Sequence, residues 1–235
     1  MQTETAAIAA NLAHIRERIA RAAARSGRRA DEITLVAVSK TFPAAVIRTA
    51  FEAGLRHFGE NRVQEWESKR PDLADLNATW HLIGHLQSNK ARRAVHDFHR
   101  VDSVDSLSLA QKLDAAAGEE GKRLPILIEV HLGEEATKSG VAEAELPYLA
   151  ESTLALQNLD LLGLMTIPPF HEDSKLMHPY FQNLRELRES LKPRLGRRLP
   201  VLSMGMSHDF EVAIQEGATE VRVGSAIFGE RRNQA

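Results

Sequence analysis

The chain has 235 residues and a formal net charge of -2, with 43% hydrophobic and 26% charged residues, which is enough for one large soluble α/β domain. So balanced a charge argues against nucleic acid or an anionic membrane as partner. The absence of cysteine excludes a disulfide scaffold, a thiolate nucleophile and cysteine-ligated metal. No apolar run approaches the roughly 20 residues of a membrane span, and Met1 to Ala10 lacks the pattern of a signal peptide, so a cytoplasmic protein is expected.

Ile8, Leu12, Ile15 and Ile19 recur at helical spacing and mark one face of an N-terminal helix that Gly27 ends. Leu35-Val36-Ala37-Val38 reads as a strand buried on both faces, so Ile33 to Val38 is the first predicted strand. Ser39-Lys40-Thr41-Phe42-Pro43 follows, and Pro43 suits the first turn of a helix carrying Val46, Ile47, Ala50 and Phe51. A short strand, Arg56 to Gly59, runs into Glu60-Asn61-Arg62 and a helix with Val63 and Trp66 that Pro71 closes. Trp80 to Ile83 is strand-like and leads to Gly84-His85-Leu86-Gln87-Ser88-Asn89-Lys90, where Ser88 or Asn89 suits a helix cap. Phe98 to Val101 is another strand, followed by a helix with Leu107, Ala110 and Leu113. Pro125 to Leu132 is the longest β-like run, and a helix through Leu146, Leu149 and Ala150 separates it from Leu161 to Met165. A helix with Met177, Tyr180, Phe181, Leu184 and Leu187 precedes Leu199 to Leu202. Phe210, Ala213 and Ile214 mark the next helix, before Val221 to Val223 and a last short helix.

Eight strands beginning near residues 33, 56, 80, 98, 125, 160, 199 and 220, each followed by a helical pattern, predict a (β/α)8 TIM barrel. A single domain over residues 1–235 is expected, with the extra N-terminal helix covering the barrel bottom or flank. A doubly wound open sheet also alternates strand and helix, but its Gly-rich turn is not what Ser39-Lys40-Thr41-Phe42 supplies.

In such a barrel the active site lies at the carboxyl ends of the strands, and a phosphate site commonly forms after strands seven and eight. The loops there are Ser203-Met204-Gly205-Met206-Ser207-His208-Asp209 and Arg222-Val223-Gly224-Ser225-Ala226, both with glycine and hydroxyl residues before a helix. They suit an anion through backbone N–H groups, though either alone is also an ordinary capped turn. Strand eight neighbours strand one in a closed barrel, which brings Lys40 beside them. Partial burial disfavours an ammonium and yields an amine able to attack a carbonyl, whereas a fully solvated lysine would only snorkel. An amine next to a phosphate pocket asks for a phosphorylated aldehyde or ketone. Pyridoxal 5'-phosphate fits, and so does the sugar phosphate of a Schiff-base aldolase, for which Glu129 is a candidate acid/base.

Several motifs resemble one family. They are Ala37-Val38-Ser39-Lys40-Thr41, His57-Phe58-Gly59-Glu60-Asn61 with Val63-Gln64-Glu65, and His81-Leu82-Ile83-Gly84-His85-Leu86-Gln87-Ser88-Asn89-Lys90. Gly163-Leu164-Met165-Thr166-Ile167, Ser203 to Asp209 and Val221-Arg222-Val223-Gly224-Ser225-Ala226-Ile227-Phe228-Gly229 complete the set. Spread over nearly the whole chain, they resemble the pyridoxal-phosphate homeostasis proteins, whose barrel is of the alanine-racemase kind, fold type III among pyridoxal-phosphate proteins. The resemblance implies a Schiff base on Lys40, with Ser203, Gly224 and Ser225 holding the phosphate and the Met204 backbone close by. It implies that Arg222 partners the pyridine nitrogen and that Asn61 points at the imine or ring oxygen, its competing role being a helix N-cap. Met165 and Ile83 are read as barrel packing. The implied role is buffering or delivery of the cofactor, with apo-enzymes as possible recipients and no established turnover reaction, in a monomer.

Arg62 departs from the family's frequent tyrosine, and the tail ends Gly229-Glu230-Arg231-Arg232. A racemase remains the alternative, but the two tyrosines, Tyr148 and Tyr180, are placed on outer helices, so a second base is not visible. His81 and His85 have the spacing of a helical zinc site, with His96 and His99 near, yet Leu82-Ile83-Gly84 between the first pair reads as strand and turn, so no metal is expected.

Overall fold

The computed structural model describes residues 2–133 and 139–229. After α1 (Gln2–Arg25) come β1 (Thr34–Val38), α2 (Ala44–Glu52), β2 (His57–Glu60), α3 (Val63–Lys69), β3 (Thr79–Leu82), α4 (Ala91–Asp97), β4 (Arg100–Val104) and α5 (Leu107–Glu119). Then follow β5 (Leu124–Glu129), α6 (Leu146–Leu154), β6 (Leu159–Met165), α7 (His178–Leu195), β7 (Val201–Ser203), α8 (Phe210–Gln215), β8 (Glu220–Val223) and α9 (Ser225–Phe228). The strands are parallel and close in chain order, β8 returning to β1 from Thr34↔Glu220 to Ala37↔Val223. This is the expected (β/α)8 barrel, with each strand starting within two residues of its predicted place.

Details differ for local reasons. β4 begins at Arg100, because Phe98 caps α4 and turns its ring toward Trp66, 6.1 Å away. The longest strand is β6, not the run from Pro125, since β5 ends at Glu129 and Val130 makes a lone bridge to Val141. Neither Ser88 nor Asn89 caps α4. A 3-10 turn over Ser88–Lys90 intervenes, Lys90 is the N-cap, and the Ser88 hydroxyl accepts from Lys112 at 2.9 Å. Pro43 sits one position earlier than expected, as the N-cap of α2.

The strands carry two different faces. Outward-facing Ala37, Phe58, Trp80, Val101, Ile126 and Leu202 join the helices in one apolar core. Val36, Ile83, Leu127 and Met165 are buried but separate from that cluster, since side-chain alternation turns them into the barrel. Beside them the inner face is polar: His81, Arg100, Asp102, Glu129, Ser203, Glu220 and Arg222 are all buried. Buried charges persist only when paired. Arg100 supplies that pairing, donating to Asp102 at 2.6 and 2.8 Å and to Glu220 at 2.6 Å, which ties β4 to β8 across the barrel. The helix α1 lies on the flank, not the bottom: it packs along α8 and α9, Asn11 donates to the Ile227 carbonyl at 3.0 Å, and Arg18 pairs with Glu211 at 2.8 Å.

Candidate functional site

Lys40 lies in the turn that leaves β1. The Ser39 carbonyl accepts from Phe42 N–H at 3.1 Å, closing a four-residue turn with Lys40 and Thr41 at its centre. Thr41 has φ +69°, while Lys40 does not adopt positive φ, the pattern of a type II turn. Such a turn favours glycine at the second central position; threonine, β-branched, is an outlier there. Two contacts seat the turn against the end of β8. The Phe42 ring lies 4.7 Å from the Phe228 ring on α9, and a methyl group at Gly224 would stand 3.3 Å from Val38 Cβ. Lys40, half-buried, therefore stands next to the loop after strand eight, as the closed barrel demanded.

Arg222 is fully buried on β8. It donates to Ser203 Oγ and to the Thr166 carbonyl, both at 2.7 Å, which fixes the guanidinium plane against the ends of β6 and β7. Burial lowers its pKa, with the carboxylates of Glu220, Asp102, Glu129 and Asp209 acting against that. The backbone N–H groups differ in what they are committed to. Met204 N–H bonds the Glu220 carbonyl at 3.1 Å, and Gly224 N–H bonds Ser207 Oγ at 3.2 Å. The Gly224 carbonyl accepts from Ile227 and Phe228, which opens α9 and leaves the first N–H groups of that turn, at Ser225 and Ala226, without an intrahelical partner. Gly205, at φ +91°, lets the loop after β7 pack closely on α8, where a methyl group in its place would stand 2.5 Å from the Ala213 Cβ.

Asn61 follows directly after the last residue of β2 and is not the N-cap of α3, a place taken by Arg62. Its backbone is held against Gly84, where a methyl group would lie 2.4 Å from the Asn61 carbonyl oxygen. Across the barrel mouth Glu129 ends β5, is 5% exposed, and its Oε2 has no hydrogen-bond partner among the described residues. Burial pushes its pKa up to about 7, Arg222 opposing and Asp105 adding to the effect. Below lies the polar interior. His57 and His81 share a ring-nitrogen contact of 3.1 Å, and His81 Nδ1 is 3.6 Å from Asp102. Burial works to raise the pKa of Asp102, but Arg100 outweighs it and holds that carboxyl ionised.

The structure thus gathers Lys40, Asn61, Ser203, Arg222, Gly224 and Ser225 at the strand ends, with Met204 buried and its amide committed to the barrel ladder. His81 and His85 are not on a helix, and His81 faces the barrel interior. Sequence reasoning left out Arg100, Asp102 and Glu220, and a second group behind Lys40 formed by Glu60, Glu65 and Lys69. For the first, a signal was present: Arg100 with Asp102, and Glu220 with Arg222, alternate with valine along short strands, marking an inward polar face.

A closed barrel with a lysine after its first strand defines the class to which the comparisons point. The profile of the family described as "Alanine racemase, N-terminal domain" matches residues 6–232. An alanine racemase from Corynebacterium glutamicum shares the fold alone, with a TM-score of 0.74 over 97% of this chain and 62% of that one at 17% identity. Proteins named pyridoxal phosphate homeostasis protein are much nearer. That of Aquifex aeolicus is 47% identical over 221 residues, covering 94% of this chain and 97% of the relative. That of Pseudomonas aeruginosa is 48% identical over 224 residues, covering 95% and 96%. The PipY protein of Synechococcus elongatus, solved with PLP bound, has a TM-score of 0.85 and 42% identity over 94% of this chain and 100% of that one. The chain belongs to the pyridoxal phosphate homeostasis protein family.

Proposed function

We propose that this chain binds pyridoxal 5'-phosphate through a Schiff base on Lys40 and serves to hold and hand on the cofactor within the cell. The observation that carries the reading is the seating of the Lys40 turn on the short helix α9, through Phe42 and Phe228. The site suits the group on its own geometry. Gly224 keeps the approach beside Val38 open, two N–H groups in the first turn of α9 have no intrahelical partner and suit a phosphate, and Arg222 is fixed on the barrel side of that turn. PLP supplies an aldehyde for the amine and an aromatic ring able to stabilise negative charge.

In this reading Ser225, with Gly224 and Ala226, takes the phosphate. Ser203 acts chiefly by holding Arg222, its oxygen accepting the guanidinium and its proton left to donate. Arg222 faces the ring nitrogen, and a permanent cation there disfavours a protonated ring and keeps it a weak electron sink. Asn61 faces the ring oxygen. This favours retention of a reactive aldehyde over turnover of amino acids. The racemase alternative needs a base on each face of the substrate. Tyr148 lies on α6 and is largely exposed, and Tyr180 lies on α7, so neither serves. Recipient apo-enzymes, a cytoplasmic location, a single domain and a monomeric state complete the proposal. Among the described residues no helix is long and apolar enough to cross a membrane.

The test is the visible absorption spectrum of wild type and Lys40→Ala with added PLP, before and after borohydride. A band that borohydride removes is expected in wild type and not in the variant. With PLP in excess and no Lys40-dependent band, the reading is wrong.

A further inference from the structure

Behind the Lys40 turn lies a buried ionic group that the cofactor site does not account for. Glu60 is fully buried at the end of β2, and Lys69, the last residue of α3, is 9% exposed. Lys69 Nζ donates to both Glu60 oxygens at 3.1 and 3.2 Å and to Glu65 at 2.7 Å. The remaining bonds of this group all end on the neighbours of Lys40. Lys69 Nζ donates to the Ser39 carbonyl at 3.1 Å, Ser39 Oγ donates to Glu60 at 2.7 Å, and the Glu65 carboxylate accepts the Thr41 N–H.

A cluster of three ionisable groups, two of them buried and the third, Glu65, partly so, is a poor means of stabilising a fold, since an apolar trio of like volume does as well or better. What such a cluster does well is fix one arrangement. The arrangement fixed here is the one the sequence disfavours: Thr41 is the single non-glycine residue at positive φ among those described. Lys40 is bracketed, with its preceding carbonyl and following amide both held by α3.

We propose that Glu65 and Lys69, backed by Glu60, are positioning residues that hold the Ser39–Phe42 turn in the conformation that presents the Lys40 amine to a phosphorylated aldehyde. The proposal rests on the PLP reading above. The cluster touches no reacting atom and acts through the backbone. Glu65 is held ionised against the effect of its burial, chiefly by its bond from Lys69 and then by that from Thr41, so it accepts from that amide across the neutral range. Without it the threonine turn relaxes, and the fraction of molecules with the amine in place falls, lowering apparent affinity and capture rate together.

The experiment is stopped-flow capture of PLP by the apo-protein, read as growth of the borohydride-sensitive visible band, with circular dichroism as a check of folding. Glu65→Ala is expected to slow capture about tenfold, equivalent to ~1.4 kcal/mol. Glu65→Gln, which keeps an accepting oxygen, should capture within about twofold of wild type by the same conversion. Thr41→Gly in the Glu65→Ala background should restore most of the rate, because glycine takes positive φ unaided. That rescue is the deciding readout: a cluster that merely stabilises the fold would not be replaced by a glycine in the turn. Wild-type capture by Glu65→Ala, or failure of Thr41→Gly to restore it, overturns the proposal. If Glu65→Ala does not fold, Lys69→Met with and without Thr41→Gly makes the same comparison. Loss of the band from wild type itself would instead refute the PLP reading.

Discussion

Glu129 offers the sharpest test of the barrel interior, because its substitution should raise stability, and only over part of the pH range. The carboxyl is 5% exposed, its Oε2 has no hydrogen-bond partner among the described residues, and burial pushes its pKa from 4.5 up to about 7. Between those values the folded protein holds a proton that the unfolded chain has released, so stability falls as pH rises through the window. Below the window the penalty is absent; above it the penalty is complete. The interval from 4.5 to about 7, at about 1.4 kcal/mol per pH unit, is about 3 kcal/mol. Glu129→Gln removes the titration, so the variant should gain on wild type by that amount between mildly acidic and mildly alkaline solution. For a chain of this size that gain corresponds to roughly 6–12 °C in Tm. Thermal unfolding of both apo-proteins followed across the range provides the comparison, and any fixed cost of burying the amide cancels in the pH-dependent part. A difference that does not change with pH, or one that shrinks as pH rises, would refute the assignment.

Three further outcomes follow from packing and charge. Asp102→Asn leaves Arg100 with Glu220 as its carboxylate partner among the described residues and should cost about 3–5 kcal/mol, the usual cost of breaking a buried pair, measured by denaturant unfolding. Gly84→Ala drives a methyl group to 2.4 Å from the Asn61 carbonyl oxygen, so a loss of about 1–3 kcal/mol is expected, together with weaker PLP binding from the displaced Asn61. Ser203→Ala removes the oxygen that receives Arg222 at 2.7 Å and should lower stability by about 1–3 kcal/mol while shifting the visible band of the loaded protein.

The barrel was legible because its rules are simple. Apolar runs such as Leu35 to Val38 and Ile126 to Ile128 announce buried parallel strands, and helical spacing between them sets the alternation. Lys40, Ser203, Arg222 and Gly224 were legible for the same reason, since a residue at a strand's carboxyl end has one place to be. What was not legible depends on contacts distant in sequence. Lys69 reads as an ordinary helix-ending lysine favoured by the helix dipole, and nothing local says that its ammonium turns inward to Glu60 and Ser39. Thr41 offers no sign of positive φ, which residue identity argues against and which the α3 contacts impose. The commitment of the Met204 and Gly224 amides was equally hidden, because it follows from strand register and from the Ser207 hydroxyl. Motif position put Gly224 and Ser225 in the loop after β8 and left open which of the N–H groups there are already committed.

The charges on the inner strand faces carry one more consequence. Two guanidiniums, Arg100 and Arg222, face two carboxylates, Asp102 and Glu220, so this set balances when Glu129 is protonated. Ionising Glu129 places a further charge in a poorly solvated space, and that burial, with Asp105 adding and Arg222 opposing, pushes its pKa up to about 7. An anionic ligand at the barrel mouth, sharing the field of Arg222, must raise that pKa further, because like charges in a low-dielectric site disfavour each other. Loading PLP near neutral pH should therefore be accompanied by proton uptake at Glu129. Titration calorimetry in two buffers of different ionisation enthalpy measures that uptake directly. Wild type should show it, growing as pH is raised toward and past 7, and Glu129→Gln should show less by the same amount. Equal uptake by the two proteins would place the coupled proton elsewhere, on the phosphate or the Lys40 amine, and would separate Glu129 from the binding equilibrium.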